Sequence, residues 1–401
     1  MFGWEFPPYN SGGLGVACLG LTRAMAQRGM EIAFVMPKKL DVKSPWARMV
    51  FADSSGLAIT TRMVDSTLTP YLTSTSYIRG RKPEGIYGHD LMAEVLRYAA
   101  LGASIAQEEE FDIIYAHDWL SFGAGMEAKR VTGKPLIVHV HATEFDRCGG
   151  ASGINQEVFK IEKAGMIDAD TVIAVSQLTK NIIVNHYGIP ESKVRVVHNG
   201  IDESTAPTGG DTLPKLRHLK ASGYSLVLFL GRITLQKGPD YFIRAAKRVL
   251  EHNPKVMFIL SGSGDMERSV MEMAASLGIS SNMLFTGFLQ GAERYDVYAA
   301  ADLFVMPSVS EPFGITPLEA MRLGTPTLIS KQSGVSEVVR HALKADFWDV
   351  DEMANMILSV VGHPDLRQTL SMHAIDEAQA LTWDKAAQKL DHIVHELAPS
   401  V

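Results

Sequence analysis

The stretch AADLFVMPSVSEPFGITPLEAMRLG, residues 300–324, reads as a strand, a glycine-bearing turn and a helix in direct succession. Its apolar run, 300–307, has the length of a buried strand and is closed by Pro307. Thr316, Pro317 and Glu319 have the pattern of a helix start, with Thr316 as N-cap, Pro317 at the first helical position and Glu319 as the acid that bonds back to the cap. A helix start placed just after a strand and a glycine turn makes an anion site, because the first-turn N–H groups lack partners and the helix dipole is positive there. A well-capped turn with no ligand fits the same letters, so the two carboxylates, Glu311 and Glu319, have no assigned purpose at this point.

Working outward, the chain of 401 residues is too long for one ordinary core, and two domains are expected. With 46% hydrophobic and 21% charged residues its composition is that of a globular protein. A net charge of −7 with both signs scattered offers no basic patch for nucleic acid. Two cysteines, Cys18 and Cys148, are too few for a disulfide framework and suit a reducing compartment. No unbroken apolar run reaches membrane length and no charged-then-apolar leader is present. A cytoplasmic protein is expected, with contact at a membrane surface left open.

Residues 1–4 (MFGW) read as the end of a first strand, short for a central parallel one; residues missing upstream would account for that. Asn10-Ser11-Gly12-Gly13-Leu14-Gly15 precedes a helical pattern through Leu19, Leu21 and Met25, with Gly29 as its C-cap. These glycines would let a ligand approach the backbone where the helix begins, although many turns need glycine for positive φ alone. Residues 31–37 read as the second strand. The Ser- and Thr-rich segment from there to Gly88 reads as a loop-and-hairpin insert near a binding cleft. A helix is expected from His89, a buried strand over 111–116 ending at His117-Asp118-Trp119, and another over 136–140 ending in His139, His141 and Glu144. In open α/β sheets ligands bind beyond the carboxyl ends of strands, where these polar residues fall.

His139 and His141 alternate on one strand and so share a face, which invites a metal reading. A metal-dependent hydrolase of the barrel type would need further His and Asp ligands at later strand ends, and none follows in order. Two hydrogen-bonded histidines, or a single ligand-binding one, remain; His141 is nearer the strand end. A helix over 155–166, a strand over 171–175, a helix over 177–187 capped by Ser176 and a strand over 194–197 follow. The loop-like composition of 203–213 marks the interdomain linker.

The run 226–230 (LVLFL) opens a new alternation of strands and helices and hence a second parallel sheet. It ends in Gly231-Arg232-Ile233-Thr234-Leu235-Gln236-Lys237-Gly238, before a helix over 239–250. A guanidinium and an ammonium at a strand end with glycines beside them suit a diphosphate, since Arg offers a planar fork and Lys a mobile point charge. Strand 256–260 delivers Ser261-Gly262-Ser263-Gly264, strand 284–289 brings Gly287-Phe288, and the next delivers the opening stretch. Four consecutive strand ends thus carry glycine, cation or carboxylate on one sheet edge. A last strand over 327–330 leads to a helix opened by Ser336-Glu337, and two helices, 351–361 and 384–396, end the chain.

Arg232-x4-Lys237, then Glu311-x7-Glu319 in an EPFG context, with Gly12-Gly13 near the start and a strand-end His141, resemble the retaining glycosyltransferases of the GT4 family, which includes bacterial glycogen synthases. The resemblance runs nearly the whole length. It implies an α/β GT-B fold: two Rossmann-like domains facing each other across a cleft, 1–203 on the acceptor side, a linker at 204–215, 216–381 on the donor side, and a final helix within 382–401 crossing back. It implies transfer of a hexosyl unit, glucosyl first, from a nucleotide-diphosphate sugar to a saccharide acceptor such as an α-glucan. By the same resemblance Arg232 and Lys237 neutralise the leaving diphosphate and Glu311 faces the donor sugar. Glu319 binds the ribose hydroxyls, and Gly314, Ile315 and Thr316 offer backbone N–H groups to sugar and phosphate. His141 contacts the sugar from the other domain, Gly12-Gly13 closes over the phosphates, and Gly262 and Phe288 complete the donor-binding edge. No protein nucleophile and no cofactor are implied, the UDP- or ADP-linked sugar being substrate. Where ADP-glucose-dependent glycogen synthases introduce the glycine loop with a lysine, this chain has Asn10. Asp168-Ala169-Asp170 and Asp349-Val350-Asp351 fit the DxD pattern of metal-dependent transferases of another fold, but their places beside helix and strand starts favour capping, so no obligatory metal is expected. A non-hydrolysing sugar-nucleotide epimerase and a non-catalytic sugar-nucleotide sensor are the alternatives.

Overall fold

Runs such as Ser225–Leu230 and Val256–Ser261 are apolar on both faces, as strands covered by helices on either side must be, and they are buried nearly throughout. In the computed structural model, which describes residues 1–9, 12–52, 89–150, 153–202, 214–289 and 291–398, such runs build parallel sheets in two units. Met1–Gly200 with Trp383–Val401 forms the first and Ile201–Thr382 the second.

In the first unit the strands are β1 (Ala33–Met36), β2 (Arg48–Phe51), β3 (Ile114–His117), β4 (Leu136–Val140), β5 (Thr171–Ala174) and β6 (Val194–Val196). β3 to β6 pair in order and β1 pairs with β2, all parallel. Residues 1–4 join the two groups, since Phe2 bridges Val35 on one side and Ala116 on the other. The chain therefore winds outward from its first residues to β2, returns to β3 and winds outward the other way. Tyr98, fully buried, ties this junction by donating to Val35 O at 2.8 Å.

In the second unit β7 (Ser225–Leu230), β8 (Val256–Ser261), β9 (Met283–Gly287), β10 (Leu303–Met306), β11 (Thr327–Ser330) and β12 (Leu343–Ala345) stand in the order β12-β11-β10-β7-β8-β9. Winding reverses between β7 and β10. Such a reversal leaves a crevice at the carboxyl ends of the two strands, because their connections leave in opposite directions.

The last helix, Trp383–Leu397, belongs to the first unit. Trp383 lies against the helix Gly13–Gln27 at Gly20, where a Cβ would come within 2.3 Å of the indole, and Arg28 pairs with Asp384 at 3.2 Å.

Several expectations need correction. The helix after the EPFG turn is Ile315–Arg322 and its N-cap is Gly314, with φ 103° and no side-chain cap. Thr316 and Pro317 are then its second and third residues, and Glu319 is not a capping acid. Proline fits there equally well, since none of the first four N–H groups has an intrahelical acceptor. Residues 38–52 hold a parallel strand, β2, rather than part of a hairpin; residues 53–88, like the linker at 203–213, lie outside the described residues. Ser336-Glu337 belongs to a single 3-10 turn, Gly334–Glu337, not to the start of a longer helix. Strand β12 and the helix Pro364–Gln379 were unforeseen; the helix buries only Ala374 and Ala378, too thin a stripe to show as periodicity. Asp349 does cap a helix, accepting from Glu352 N at 3.0 Å. Asp170 does not: it accepts from Leu136 N at 2.7 Å and Lys129 Nζ at 2.9 Å, fastening the start of β4.

Candidate functional site

The β7–β10 reversal is where the second unit collects its charged groups. β7 runs out at Gly231, and the chain makes a 3-10 turn at Leu235–Lys237 before the helix Pro239–His252. Gly238, with φ 64°, sits so close to the β10 loop that a Cβ would fall 2.1 Å from Pro307 O. Gly262, after β8, has φ 139° and a Cβ there would stand 1.8 Å from Gly231 O. The protein's own backbone thus accounts for these glycines, whatever ligand lies beyond.

Close loop packing brings Lys237 Nζ to 2.5 Å from Glu311 Oε2. Ser308, fully buried, donates to the same oxygen at 3.1 Å. Glu311 is held through its backbone as well, its N–H donating to Gln332 O and its carbonyl accepting from Gly334 N, both at 2.9 Å. With both contacts on Oε2, the carboxylate cannot rotate freely and Oε1 is the atom left to meet a ligand. Arg232 stands half-buried at the same edge, its Nη2 donating to Gln236 Oε1 at 3.1 Å. Gly314, Ile315 and Thr316 follow at the start of their helix, the hydroxyl of Thr316 lying 4.0 Å from Met306 Sδ. A Cβ on Gly314 would press within 3.2 Å of Glu311 and Met306. Phe288 stands at the end of β9, the edge strand of this sheet, and is 57% exposed.

Glu319 is buried within the helix and has a different setting. Arg294 Nη2 lies 3.3 Å from Oε1, and Tyr298 donates to Oε2 at 3.1 Å. Burial raises its pKa above the ordinary carboxylate value, with Arg294 and the Tyr298 hydrogen bond opposing. Neither Arg294 nor Tyr298 was singled out from sequence, where nothing marks a helix residue that turns back to a distant acid. Ser308 was missed as well, although it directly precedes the acidic turn.

His141, Gly12 and Gly13 belong to the first unit. Gly12, half-buried, has extended φ (−169°) and caps the helix Gly13–Gln27 with open space where a Cβ would stand; Gly13 is exposed. Residues 10–11 lie outside the described residues. His117 and His139 are register partners across β3 and β4, so their side chains share a face, and His141 follows on the same alternation. His117 Nδ1 lies 3.0 Å from His141 Nε2, and the Tyr115 hydroxyl 2.8 Å from His139 Nδ1. The His139 and His141 rings stack at 4.1 Å. Burial drives His141 down to about 3. Burial and the neighbouring imidazoles likewise hold His117 and His139 well below the ordinary histidine value. All three are neutral near pH 7. His117 completes the group from upstream, and its place at the end of the adjacent strand is the signal that the sequence carries for it.

Asp118 fastens the two strand ends. Its Oδ1 accepts from His141 N at 2.6 Å and Ala142 N at 3.3 Å, and among the described residues it is the non-glycine with positive φ, 60°. Backbone in that region costs roughly 1–3 kcal/mol and persists where its surroundings hold it. Burial pushes the Asp118 carboxyl up to about 7. Below it Arg147 is buried between Glu144 and Glu162, at 3.0 Å from the former.

The second-unit edge can neutralise a diphosphate and hold sugar hydroxyls; the three imidazoles of the first-unit edge can donate or accept hydrogen bonds without carrying charge. Among the described residues, no helix is long and apolar enough to cross a membrane. Residues 215–376 match the model for glycosyl transferases group 1, and residues 11–205 that for glycosyltransferase family 4. The chain is 29% identical to an uncharacterized glycosyltransferase of Methanocaldococcus jannaschii, over 97% of this chain and 95% of that one. It is 30% identical to the D-inositol 3-phosphate glycosyltransferase of Thermobifida fusca, over 70% of this chain and 68% of that protein. Among solved structures, Anabaena HepE in complex with UDP-glucose superposes with a TM-score of 0.72 at 19% identity, covering 99% of this chain and 98% of that one.

Proposed function

The chain belongs to the GT4 family of glycosyltransferases, with an α/β fold of the GT-B class, and from that premise we infer a retaining transfer of a hexosyl unit, glucosyl first, from a nucleotide-diphosphate sugar to a saccharide or polyol acceptor. The observation that carries this reading is the meeting of Lys237 and Glu311 at the β7–β10 reversal, with Arg232 on the same edge. As the glycosidic bond breaks, negative charge grows on the departing phosphate. Cations already in place stabilise it without reorganising. Lys237 and Arg232 take the diphosphate, and Glu311 Oε1 takes sugar hydroxyls and faces the oxocarbenium character of the anomeric carbon. Glu319 holds the ribose, and the N–H groups of Gly314, Ile315 and Thr316 meet the phosphate and sugar at the helix start. His141, neutral, bonds a sugar hydroxyl, and Gly12-Gly13 lies over the phosphates. The acceptor attacks the face the nucleotide leaves, with the leaving phosphate as base. No obligatory metal is involved, and the setting is cytoplasmic.

The test incubates chelator-treated protein with labelled UDP-glucose or ADP-glucose, alone and with glucan, sucrose precursors or inositol phosphate. Label in a new acceptor, with the α-configuration kept, supports transfer and names the base. A changed sugar still on its nucleotide replaces transfer with epimerisation. Tight donor binding in calorimetry with neither product makes the chain a sensor.

A further inference from the structure

We propose that His117, His139 and His141 form a site for a borderline transition-metal dication of the zinc(II) type. One ring nitrogen from each lies within 4.8 Å of the others. Three features together favour an ion over a set of packed core histidines. The first is placement: His139 lies on β4, His117 is its register partner on β3, and His141 follows one residue past the end of β4. That holds two of the imidazoles on rigid strands and the third directly at a strand end, all on one sheet face. The second is an outer support. The Tyr115 hydroxyl lies 2.8 Å from His139 Nδ1; in the tautomer where Nδ1–H donates to that hydroxyl oxygen, Nε2 keeps its lone pair, the way metal-bound histidines are usually oriented. The third is unmet demand: His117 Nε2 and His139 Nε2 are buried without a hydrogen-bond partner. Buried polar atoms are nearly always satisfied, and two of them in one cluster call for a group between them.

Neutral imidazole nitrogens select zinc, copper, nickel or cobalt rather than magnesium or calcium, which prefer oxygen. His117 Nε2 and His139 Nε2 offer lone pairs as they stand, and His141 Nε2 joins them by giving up its 3.0 Å bond to His117 Nδ1; three histidines then leave a fourth position open. The buried Asp118 carboxyl accepts from His141 N–H at 2.6 Å and so holds the backbone of that residue beside the site. Since His141 also faces the donor sugar in the proposed function, and only this clause rests on that reading, a bound ion competes with the sugar and lowers transfer.

The test is a cobalt(II) titration of the chelator-treated full chain, read by visible absorption, with zinc displacing the cobalt. One equivalent should bind with the bands of a low-coordinate nitrogen site. His139→Gln should abolish those bands while circular dichroism stays that of the wild type. Should that variant not fold, Tyr115→Phe keeps all three ligands and the ring packing, and should weaken binding about 10–100-fold through loss of ligand orientation. Absent bands, or bands unchanged in Tyr115→Phe and in His139→Gln, overturn the site. Bands present while saturating zinc leaves sugar transfer unchanged overturn the competition. The binding result does not depend on transfer being detected.

Discussion

At the β7–β10 reversal of the second unit opposite charges meet, Lys237 at 2.5 Å from Glu311, whereas at the ends of β3 and β4 in the first unit the groups that meet are imidazoles kept neutral by burial. The second-unit edge lies where winding reverses and strand connections part, between β7 and β10; the first-unit edge lies beside the corresponding reversal, which falls between residues 1–4 and β3. The difference is one of pairing. At the second edge the half-buried Lys237 is matched with the buried Glu311. At the first, His117 and His139 are buried and His141 lies beside them half-buried, and burial favours the neutral form of an imidazole because it penalises the charged one.

The largest effect expected is at the charged pair. Lys237→Ala should lower kcat/KM by about 10²–10³-fold, the range for removing one preorganised electrostatic contact, and Glu311→Gln by about 10²-fold, with circular dichroism unchanged in both. Near wild-type rates in either would break the contrast between the edges. Glu319→Gln should act mainly on donor KM, about tenfold, because it weakens the charge-assisted bond to Arg294 and, in the proposed function, the one to ribose, each worth roughly 1.5–3 kcal/mol; an effect confined to kcat would move Glu319 to the reacting centre. Ser308→Ala should lower kcat about fivefold, one ordinary hydrogen bond of about 1 kcal/mol, since Lys237 still holds Oε2. A change in donor KM alone would show that Ser308 does not aim the carboxylate.

The smallest effect is read as stability against pH. Asp118 has its folded value raised from 3.8 to about 7. The folded state therefore binds the proton more tightly, and this residue's contribution is present at low pH and lost as pH rises to about 7. His141 is depressed from 6.5 to about 3, so its contribution is present above 6.5 and lost as pH falls. Asp118→Asn keeps an acceptor for His141 N–H and removes the titration. Its Tm relative to the wild type should climb between pH 4 and 7 and then level off. A difference that does not vary with pH would mean that Asp118 is charged in the folded protein throughout that range.

The central strands are legible because both faces of each are apolar, and Leu136–Val140 and Thr327–Ser330 fall where the apolar runs put them. The cap of the helix Gln177–Tyr187 was equally plain, Ser176 accepting from Thr179 N. The helix after the EPFG turn was misjudged because Thr-Pro-x-Glu is compatible with two starting points. What chose between them is the positive φ of Gly314 packed on Val335 and Glu311, a long-range fact. Arg232, Lys237 and Glu311 could be nominated as strand-end polar groups. That Ser308 and Lys237 share one oxygen of Glu311 depends on the loops after β7 and β10 lying side by side, which no local pattern encodes. The histidine group fell between the two cases, with alternation along β4 visible and pairing across to β3 not.

Gly238 and Gly262 lie so near Pro307 O and Gly231 O that neither could carry even a methyl group without backbone movement. Neighbouring loops at this edge are therefore mortised main chain to main chain. Such a joint cannot be retuned by small steps, because every side chain that might adjust it is already too large. Attempts to redirect the protein to a new sugar would do best to leave the joint alone and randomise positions whose side chains have room, such as Phe288.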